Sequence, residues 1–127
     1  MFELDLKSRT PISGQIVDNI KELIVSGVLH AEEKLPSVRE LAAQLTVNPN
    51  TVQKAYSALE QQGYIYISQG RGTFVADIKN ITATPAEITD AEIGLRDSIS
   101  KLYYIGMSRG DAEELLRKLM DERSDWK

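Results

Sequence analysis

LPSVRELA at residues 35–42 and VNPNTVQKAY at residues 47–56 predict two short helices joined by a tight turn. The first helix begins after Ser37, and Glu40 three residues later completes a capping box, in which each side chain bonds the other residue's backbone N–H. Its apolar residues follow the i, i+3, i+4, i+7 spacing and therefore share one face: Val38, Leu41, Ala42 and Leu45. Asn48 can cap the second helix, and the proline after it takes the first helical position, where a missing N–H costs nothing. The pattern predicts a helix-turn-helix.

The second predicted helix has two opposite faces. Its apolar residues repeat the same helical spacing: Val52, Ala55, Tyr56 and Leu59. Its polar residues repeat that spacing two positions earlier: Asn50, Gln53, Lys54 and Ser57. Amides can bond an adenine edge, an ammonium can reach a guanine edge or a phosphate, and hydroxyls can bond either, so this face with Thr51 suits the DNA major groove. The alternative is an ordinary amphipathic helix with a solvated polar face.

A β-hairpin is predicted directly after this helix. Gly63 ends the helix, residues 64–68 are β-branched and aromatic, and the turn Gln69-Gly70-Arg71-Gly72 precedes a second short strand at Thr73–Val75. A hairpin in this place is a wing. The two glycines beside Arg71 let the backbone approach closely, so this tip suits a minor groove or a phosphate. The alternative is a surface hairpin whose arginine has no particular partner.

Together these residues resemble the GntR family of bacterial transcription regulators, over residues 2–75. The resemblance rests on motifs in a fixed order: Gly27-Val28-Leu29, Lys34-Leu35-Pro36-Ser37, Arg39-Glu40-Leu41-Ala42, Asn50-Thr51-Val52, Ala55-Tyr56 with Leu59-Glu60, Gly63-Tyr64-Ile65 and Gly70-Arg71-Gly72-Thr73-Phe74-Val75. Because only about 50 residues follow the wing, the chain is similar to the YtrA-like short branch, which carries a brief helical C-terminal segment.

The resemblance implies a winged helix-turn-helix whose operator contacts come from three segments. Carried over by position, these contacts are Arg39, Asn48, Asn50, Thr51, Gln53, Gly70 and Arg71. The predicted DNA-binding set also contains Ser37, Lys54, Ser57, Gly72 and Thr73. Many members carry an arginine where Asn50 or Gln53 stands here, and a glutamate where Val38 stands. The first difference bears on the base preference and leaves the docking mode unchanged.

Composition excludes several classes of protein. The chain has 127 residues, 42% of them apolar, and no cysteine, which rules out disulfides and thiolate zinc sites. No apolar run resembles a signal peptide or a membrane span, so we expect a cytoplasmic protein without a membrane partner. The single histidine, His30, has no partner nucleophile in a motif, and no phosphate loop is present. We therefore expect no enzyme activity, no catalytic residue, no cofactor and no metal site.

Charge is distributed unevenly along the chain. The net charge of −4 has the wrong sign for a non-specific DNA binder. Residues 34–75 carry four basic and two acidic side chains, a net of +2, with the basic ones being Lys34, Arg39, Lys54 and Arg71. Residues 81–127 carry seven basic and ten acidic side chains. This balance predicts weak binding to random DNA and reliance on base contacts and on two half-sites.

Flanking segments complete the predicted domain organisation. Phe2, Leu4 and Leu6 alternate with charged residues, which predicts a half-buried strand. A scaffold helix follows, capped at Thr10-Pro11, closed by Gly27 and lined by apolar residues: Ile12, Ile16, Ile20, Leu23 and Ile24. The DNA-binding domain is predicted at residues 1–76 and a linker at residues 77–88, before a two-helix segment at residues 89–127.

The C-terminal segment is predicted to dimerise the protein. Its first helix starts near Thr89 or Asp90 and ends at Gly106, and its second starts after Ser108. Two such helices cannot bury their apolar stripes alone, so they should pack on each other and on a second subunit. The predicted dimerisation residues are Leu95, Ile99, Leu102, Leu115, Leu116 and Leu119. The alternative is a monomer whose helices fold back on the winged helix.

The sequence thus predicts an α+β, mainly α fold and a DNA-binding function. We expect a dimeric, sequence-specific transcription repressor acting on an inverted-repeat operator in double-stranded DNA. The alternative is a winged helix used for protein interaction or for non-specific architectural DNA binding. A small-molecule effector of unknown identity would need a site at the dimer interface or between the modules, where Tyr103, Tyr104 and Trp126 could line it.

Overall fold

The computed structural model describes residues 3–123 and Trp126. The chain forms two compact units, with the boundary between Ile81 and Thr82. The elements of the first unit are α1 (Ile12–Val25), β1 (Lys34–Leu35), α2 (Val38–Leu45), α3 (Pro49–Gln61), β2 (Ile65–Ser68), β3 (Gly72–Val75) and a 3-10 turn (Ile78–Asn80). Those of the second unit are α4 (Pro85–Tyr104) and α5 (Arg109–Asp121). This α+β, mainly helical architecture with an N-terminal winged helix-turn-helix is the predicted one.

The hydrophobic core of the first unit is built around α3. This helix packs against α1, α2 and β2. It contributes the four residues of its predicted apolar face, all buried: Val52, Ala55, Tyr56 and Leu59. The remaining core residues are Ile16, Ile20 and Ile24 of α1, Leu41 and Ala42 of α2, and Leu35, Ile65 and Val75 of the sheet. Burial of this face leaves the opposite, polar face of α3 exposed.

The three strands form one antiparallel sheet in the order β1-β3-β2. Phe74 of β3 pairs with Lys34 on one side and with Tyr66 on the other. Thr73 pairs with Leu35 and Ile67 in the next row, on the other face of the sheet. The sequence predicted β2 and β3 as a hairpin but not β1, because a two-residue strand before a proline is too short to show an alternating pattern.

The helix ends of the helix-turn-helix are those expected from the capping residues. The Ser37 hydroxyl accepts the Glu40 N–H at 3.1 Å, and the Glu40 carboxylate accepts the Ser37 N–H at 3.2 Å, so the capping box is formed. The Asn48 side chain accepts the Asn50 N–H at 2.8 Å at the start of α3. Between the helices, Thr46 takes a left-handed conformation with a φ of 57°. This conformation turns the chain directly from α2 into α3.

The N-terminal segment is not a strand, contrary to the prediction. Residues 3–5 have no regular secondary structure, and residues 6–10 form turns and bends. The Gln15 side chain holds them: it accepts the Asp5 N–H at 2.7 Å and donates to the carbonyls of Asp5 and Thr10. The alternation of apolar and charged residues gave a wrong prediction here. Leu4 is half-buried against the core, whereas Leu6 is exposed. Phe2 lies outside the described residues.

The first helix of the C-terminal unit begins earlier than the sequence predicted. Helix α4 starts at Pro85 rather than near Thr89, because Thr84 and Glu87 form a capping box with bonds of 3.2 and 3.1 Å. The end at Gly106 and the cap at Ser108 are as predicted. No residue of α4 or α5 is buried, so their mutual packing does not cover either apolar stripe within one chain. Among the described residues, no helix is long and apolar enough to cross a membrane.

Candidate nucleic-acid interface

The exposed face of α3 carries the side chains that were predicted to read DNA. Asn50, Gln53, Lys54 and Ser57 are all exposed, opposite the buried face. Gln53 Nε2 donates to Ser57 Oγ at 3.1 Å, one helical turn away. This bond uses one N–H of the Gln53 amide and holds the side chain along the helix, so its carbonyl oxygen and second N–H can face a base edge.

The first turn of α3 lies beside the first turn of α1. Asn50, Thr51 and Lys54 line an open cavity of about 340 Å³ together with Pro11, Ile12 and Ser13. Sequence reasoning gave α1 a purely structural role and missed this neighbourhood. The predicted cap at Thr10-Pro11 is formed only in part, because Pro11 is the N-cap and no side chain bonds the first N–H groups of α1. The Ser13 side chain is thus placed next to predicted DNA contacts.

The turn of the helix-turn-helix forms a second open cavity, of about 760 Å³. Arg39 and Asn48, both predicted contacts, line it from either side of the turn. The other lining residues are Ala42, Ala43, Thr46, Val47 and Pro49. Asn48 already uses its side-chain oxygen as the α3 cap. Its amide N–H groups are therefore what it can offer to a phosphate or a base.

A hydrogen bond fixes the start of α2 against α3. Tyr56 Oη donates to the Pro36 carbonyl oxygen at 2.7 Å. Burial raises the pKa of Tyr56 to about 12, and the charge of Glu40 adds to the effect. The sequence assigned Tyr56 only to the core. The structure adds that its hydroxyl positions the loop that leads into Ser37 and Arg39.

Electrostatics at the start of α2 are set by the capping box. The hydrogen bonds from the Ser37 backbone and side chain lower the pKa of Glu40, and the charge of Lys34 lowers it further. Glu40 is therefore ionised at neutral pH, and its negative charge interacts favourably with the positive, N-terminal end of the α2 dipole. The Ser37 oxygen accepts the Glu40 N–H, and its hydroxyl also bonds the Glu40 carboxylate, so the Ser37 side chain is engaged in the capping box.

The wing tip is a tight glycine turn that exposes Arg71. The Arg71 N–H donates to the Ser68 carbonyl at 3.0 Å, and Gly70 and Gly72 have φ values of 76° and 128°. Both values lie in the left-handed region, which favours glycine. Thr73, also a predicted contact, is half-buried on the sheet face that carries the buried Leu35. Its backbone, rather than its side chain, adjoins the wing tip.

The wing is braced on its outer face by two aromatic rings. Tyr66 stacks on Phe74 with 5.7 Å between ring centroids. The Tyr66 hydroxyl donates to the Glu32 carboxylate, which raises the pKa of Tyr66. Glu32 itself has a φ of 71°, a conformation that costs a residue with a side chain some energy. This contact links the hairpin to the loop before β1.

The basic side chains of this surface are available for a ligand. Within the part of the chain that the structure describes, the side chains of Arg39, Lys54 and Arg71 have no hydrogen bond or ion pair. No group of three or more His, Cys, Asp or Glu side chains in residues 3–123 and 126 could hold a metal ion. The surface is thus one of cations, amides and hydroxyls, which suits phosphates and base edges.

In the second unit, the predicted dimerisation residues remain accessible. Leu95, Ile99, Leu116 and Leu119 are between 43% and 53% exposed. Leu102 and Leu115 are half-buried. Tyr103 and Tyr104 are more exposed still and contact each other edge to face, with 5.8 Å between ring centroids. These side chains form an apolar surface that α4 and α5 do not cover by themselves.

A helix-turn-helix with an exposed polar second helix, followed by a hairpin with a basic tip, defines a winged helix-turn-helix DNA-binding protein. Comparison with known proteins agrees with this class. The family model "Bacterial regulatory proteins, gntR family" matches residues 12–75. The HTH-type transcriptional repressor YtrA of Bacillus subtilis (strain 168) is 37% identical over 119 residues, which cover 94% of this chain and 92% of that protein. This chain belongs to the GntR family and is a DNA-binding transcription regulator, not an enzyme.

Solved structures show the same relationship. A transcriptional antiterminator from Listeria monocytogenes EGD-e superposes with a TM-score of 0.84 and 39% identity, covering 94% of this chain and 90% of that one. The DNA-binding domain of AraR in complex with operator ORX1 superposes with a TM-score of 0.52 and 35% identity, covering 60% of this chain and 93% of that one. A relative of this fold is therefore known with operator DNA bound.

Proposed function

We propose that this protein is a dimeric repressor that binds an inverted-repeat operator. One observation carries the proposal. The exposed face of α3 carries amide, hydroxyl and ammonium groups, while the opposite face is buried in the hydrophobic core. A helix with this division can enter a major groove without disturbing its own packing. The similarity to a transcriptional repressor along nearly the whole chain supports repression as the outcome. Because the ligand is genomic DNA, we expect the protein to act in the cytoplasm.

The contacts divide by chemistry into those that position the protein and those that read sequence. Asn50, Gln53 and Lys54 on α3 have the groups that bond base edges. Ser37, Arg39, Asn48 and Thr51 lie around the two cavities and the start of α2, where groups reach the phosphate backbone. Ser57 supports Gln53, and the backbone of Gly70, Gly72 and Thr73 presents Arg71 to the minor groove.

The C-terminal helices are proposed to hold two copies together. These helices expose several leucine and isoleucine side chains, and water contact of such side chains is unfavourable. A second copy presents the same surface, which is the arrangement of a two-fold symmetric interface. Two recognition helices would then contact half-sites about one helical turn apart, roughly 34–36 Å, or a multiple of it.

A selection of bound sequences from a random double-stranded DNA pool tests the proposal. The parent protein, Arg39→Ala and Arg109→Ala are selected side by side at one salt concentration. Arg109 is the matched control because its side chain lies on α5 and is 92% exposed, beside Glu113. We expect the parent and Arg109→Ala to enrich the same inverted repeat, and Arg39→Ala to retain much less DNA in each round, because the loss of a phosphate contact weakens binding to all sequences.

Two results would overturn the proposal. Enrichment of a single, unrepeated half-site by the parent would contradict the dimeric mode of binding. Absence of any enriched sequence would contradict operator recognition and favour a winged helix that serves protein contacts or binds DNA without sequence preference.

A further inference from the structure

We propose that Lys34 is an additional DNA contact that binds a backbone phosphate between the start of α2 and the wing tip. This inference rests on the proposed function, since it assumes that both of those segments face the operator. Neither the motif comparison nor the pattern of the recognition helix assigned Lys34 to the interface. Its placement follows from a steric contact on the side of the wing and from an electrostatic interaction on the side of α2.

On the wing side, the Lys34 side chain crosses Gly72. A Cβ added to Gly72 would lie 2.8 Å from Lys34 Cε, 3.6 Å from its Nζ and 3.8 Å from its Cδ. Lys34 pairs with Phe74, so Gly72 is its diagonal neighbour on the same sheet face, two residues towards the wing tip. The absence of a side chain at Gly72 therefore makes room for the lysine stem and directs its ammonium group towards the tip that carries Arg71.

On the other side, the charge of Lys34 acts on the first turn of α2. It is one of the causes that lower the pKa of Glu40, after the two hydrogen bonds from Ser37. Glu40 lies in the first turn of α2, so the ammonium group of Lys34 acts on the helix start that also carries Arg39. Lys34 is exposed and, among the described residues, its ammonium has no hydrogen bond or ion pair.

The chemistry of lysine favours a phosphate over a base at this place. An ammonium is a compact point charge on a flexible stem, without the planar fork that reads a guanine edge. A contact of this kind neutralises one phosphate and releases counterions, so it contributes affinity that depends on salt and not on sequence. Lys34 would close the gap between the helix-turn-helix and the wing and hold both on one stretch of backbone.

The test compares full-length variants on the operator obtained from the selection experiment. Lys34→Met keeps the apolar stem over Gly72 but removes the charge, and Lys34→Arg restores a charge on a stem of similar length. Lys79→Met is the matched control. Lys79 lies in the 3-10 turn, which leads into Ile81 beside Gly63 at the far end of α3, roughly 20 Å from the first turn of that helix. Affinities are measured over a series of salt concentrations.

We expect Lys34→Met to weaken binding about three- to tenfold at low salt and to reduce the salt slope by about one unit per bound subunit. The loss should be equal on operator variants that differ in base sequence, Lys34→Arg should restore the slope, and Lys79→Met should match the parent. Thermal unfolding should be unchanged, since no core contact is lost.

Three results would overturn the inference. An unchanged salt slope for Lys34→Met, with Arg39→Ala still defective, would remove Lys34 from the interface while leaving the proposed function intact. A lower midpoint of unfolding that accounts for the weaker binding would make Lys34 a structural residue. If the parent enriches no sequence, the proposed function fails and Lys34 has no operator phosphate to bind.

Discussion

Tyr56 combines core packing with a polar contact in one side chain. Its ring is buried, and its hydroxyl donates to the Pro36 carbonyl, so ionising the phenol would remove the donor and place a charge inside the protein. Burial, with the charge of Glu40, raises the pKa of Tyr56 from 10.0 to about 12. The folded-state pKa is thus above the unfolded value, so this contribution to stability is complete below pH 10 and is lost as the pH rises through about 12.

Tyr56→Phe should flatten the alkaline dependence of the unfolding free energy and cost about 1 kcal/mol at neutral pH, because the Pro36 carbonyl loses its donor. Denaturant unfolding at a series of pH values measures both effects. Tyr66→Phe is a useful comparison, because Tyr66 is an exposed tyrosine whose hydrogen bond lies on the wing. If parent and Tyr56→Phe lose stability in parallel above pH 10, Tyr56 does not control the alkaline transition.

Arg39 should contribute to DNA binding but not to folding. Its side chain is exposed and lines the cavity at the turn, while Leu41, two residues later, is 1% exposed in the core. We expect Arg39→Ala to weaken operator binding by about 1 to 3 kcal/mol with an unchanged thermal midpoint. Leu41→Ala should instead destabilise the fold by about 2 to 5 kcal/mol. Equal falls in thermal midpoint for the two variants would show that Arg39 is structural.

At the scale of elements, the sequence predicted best where a few neighbouring residues determine the structure. The capping box of α2, the Asn48 cap of α3 and the glycine turn of the wing all depend on residues within four positions of each other. Strand β1 was missed because it has only two residues and because its partner, β3, lies about 40 residues further along the chain. The N-terminal strand was wrongly predicted because alternation does not reveal that Gln15 holds the segment in another conformation.

Recognition helix α3 also yields a prediction about base preference. If Gln53 bonds a base edge, Gln53→Ala should relax preference at one operator position by about 1 to 3 kcal/mol. Asn50→Ala should act at a different position, because Asn50 precedes Gln53 by almost one helical turn. Selection from a library of single-base operator variants measures both profiles. Unchanged base-preference profiles for both variants would indicate that the wing or the shape of the DNA, and not these two amides, determines sequence recognition.

At the scale of the whole molecule, the candidate site consists of segments that the sequence keeps apart. Sequence patterns proposed most of its residues singly, because exposed polar positions on a helix and glycine-flanked arginines can be recognised locally. They did not reveal that Ser13 lies beside Lys54, that Tyr56 holds the loop before α2, or that Lys34 crosses Gly72. These relations depend on how α1, α2 and the sheet pack around α3, which no local pattern encodes.

The exposed apolar residues of α4 and α5 should make both stability and operator binding depend on protein concentration. The proposed dimer would bury these side chains, so the midpoint of unfolding should rise with concentration by mass action. Leu95→Asp should yield a monomer, because a carboxylate in an apolar interface is costly to desolvate. Val28→Asp is the control, since Val28 is exposed but belongs to the first unit. Light scattering with size-exclusion chromatography measures the oligomeric state.

The same two variants distinguish a loss of dimerisation from a loss of half-site recognition. Leu95→Asp should bind the full inverted repeat about as weakly as a single half-site, because joining two subunits raises overall affinity by roughly 10²–10⁴ through effective concentration. Val28→Asp should keep the parent's preference for the full repeat. A parent that is monomeric at micromolar concentration would contradict dimerisation altogether. A dimeric Leu95→Asp variant would instead show that the two copies meet on another face of α4 and α5.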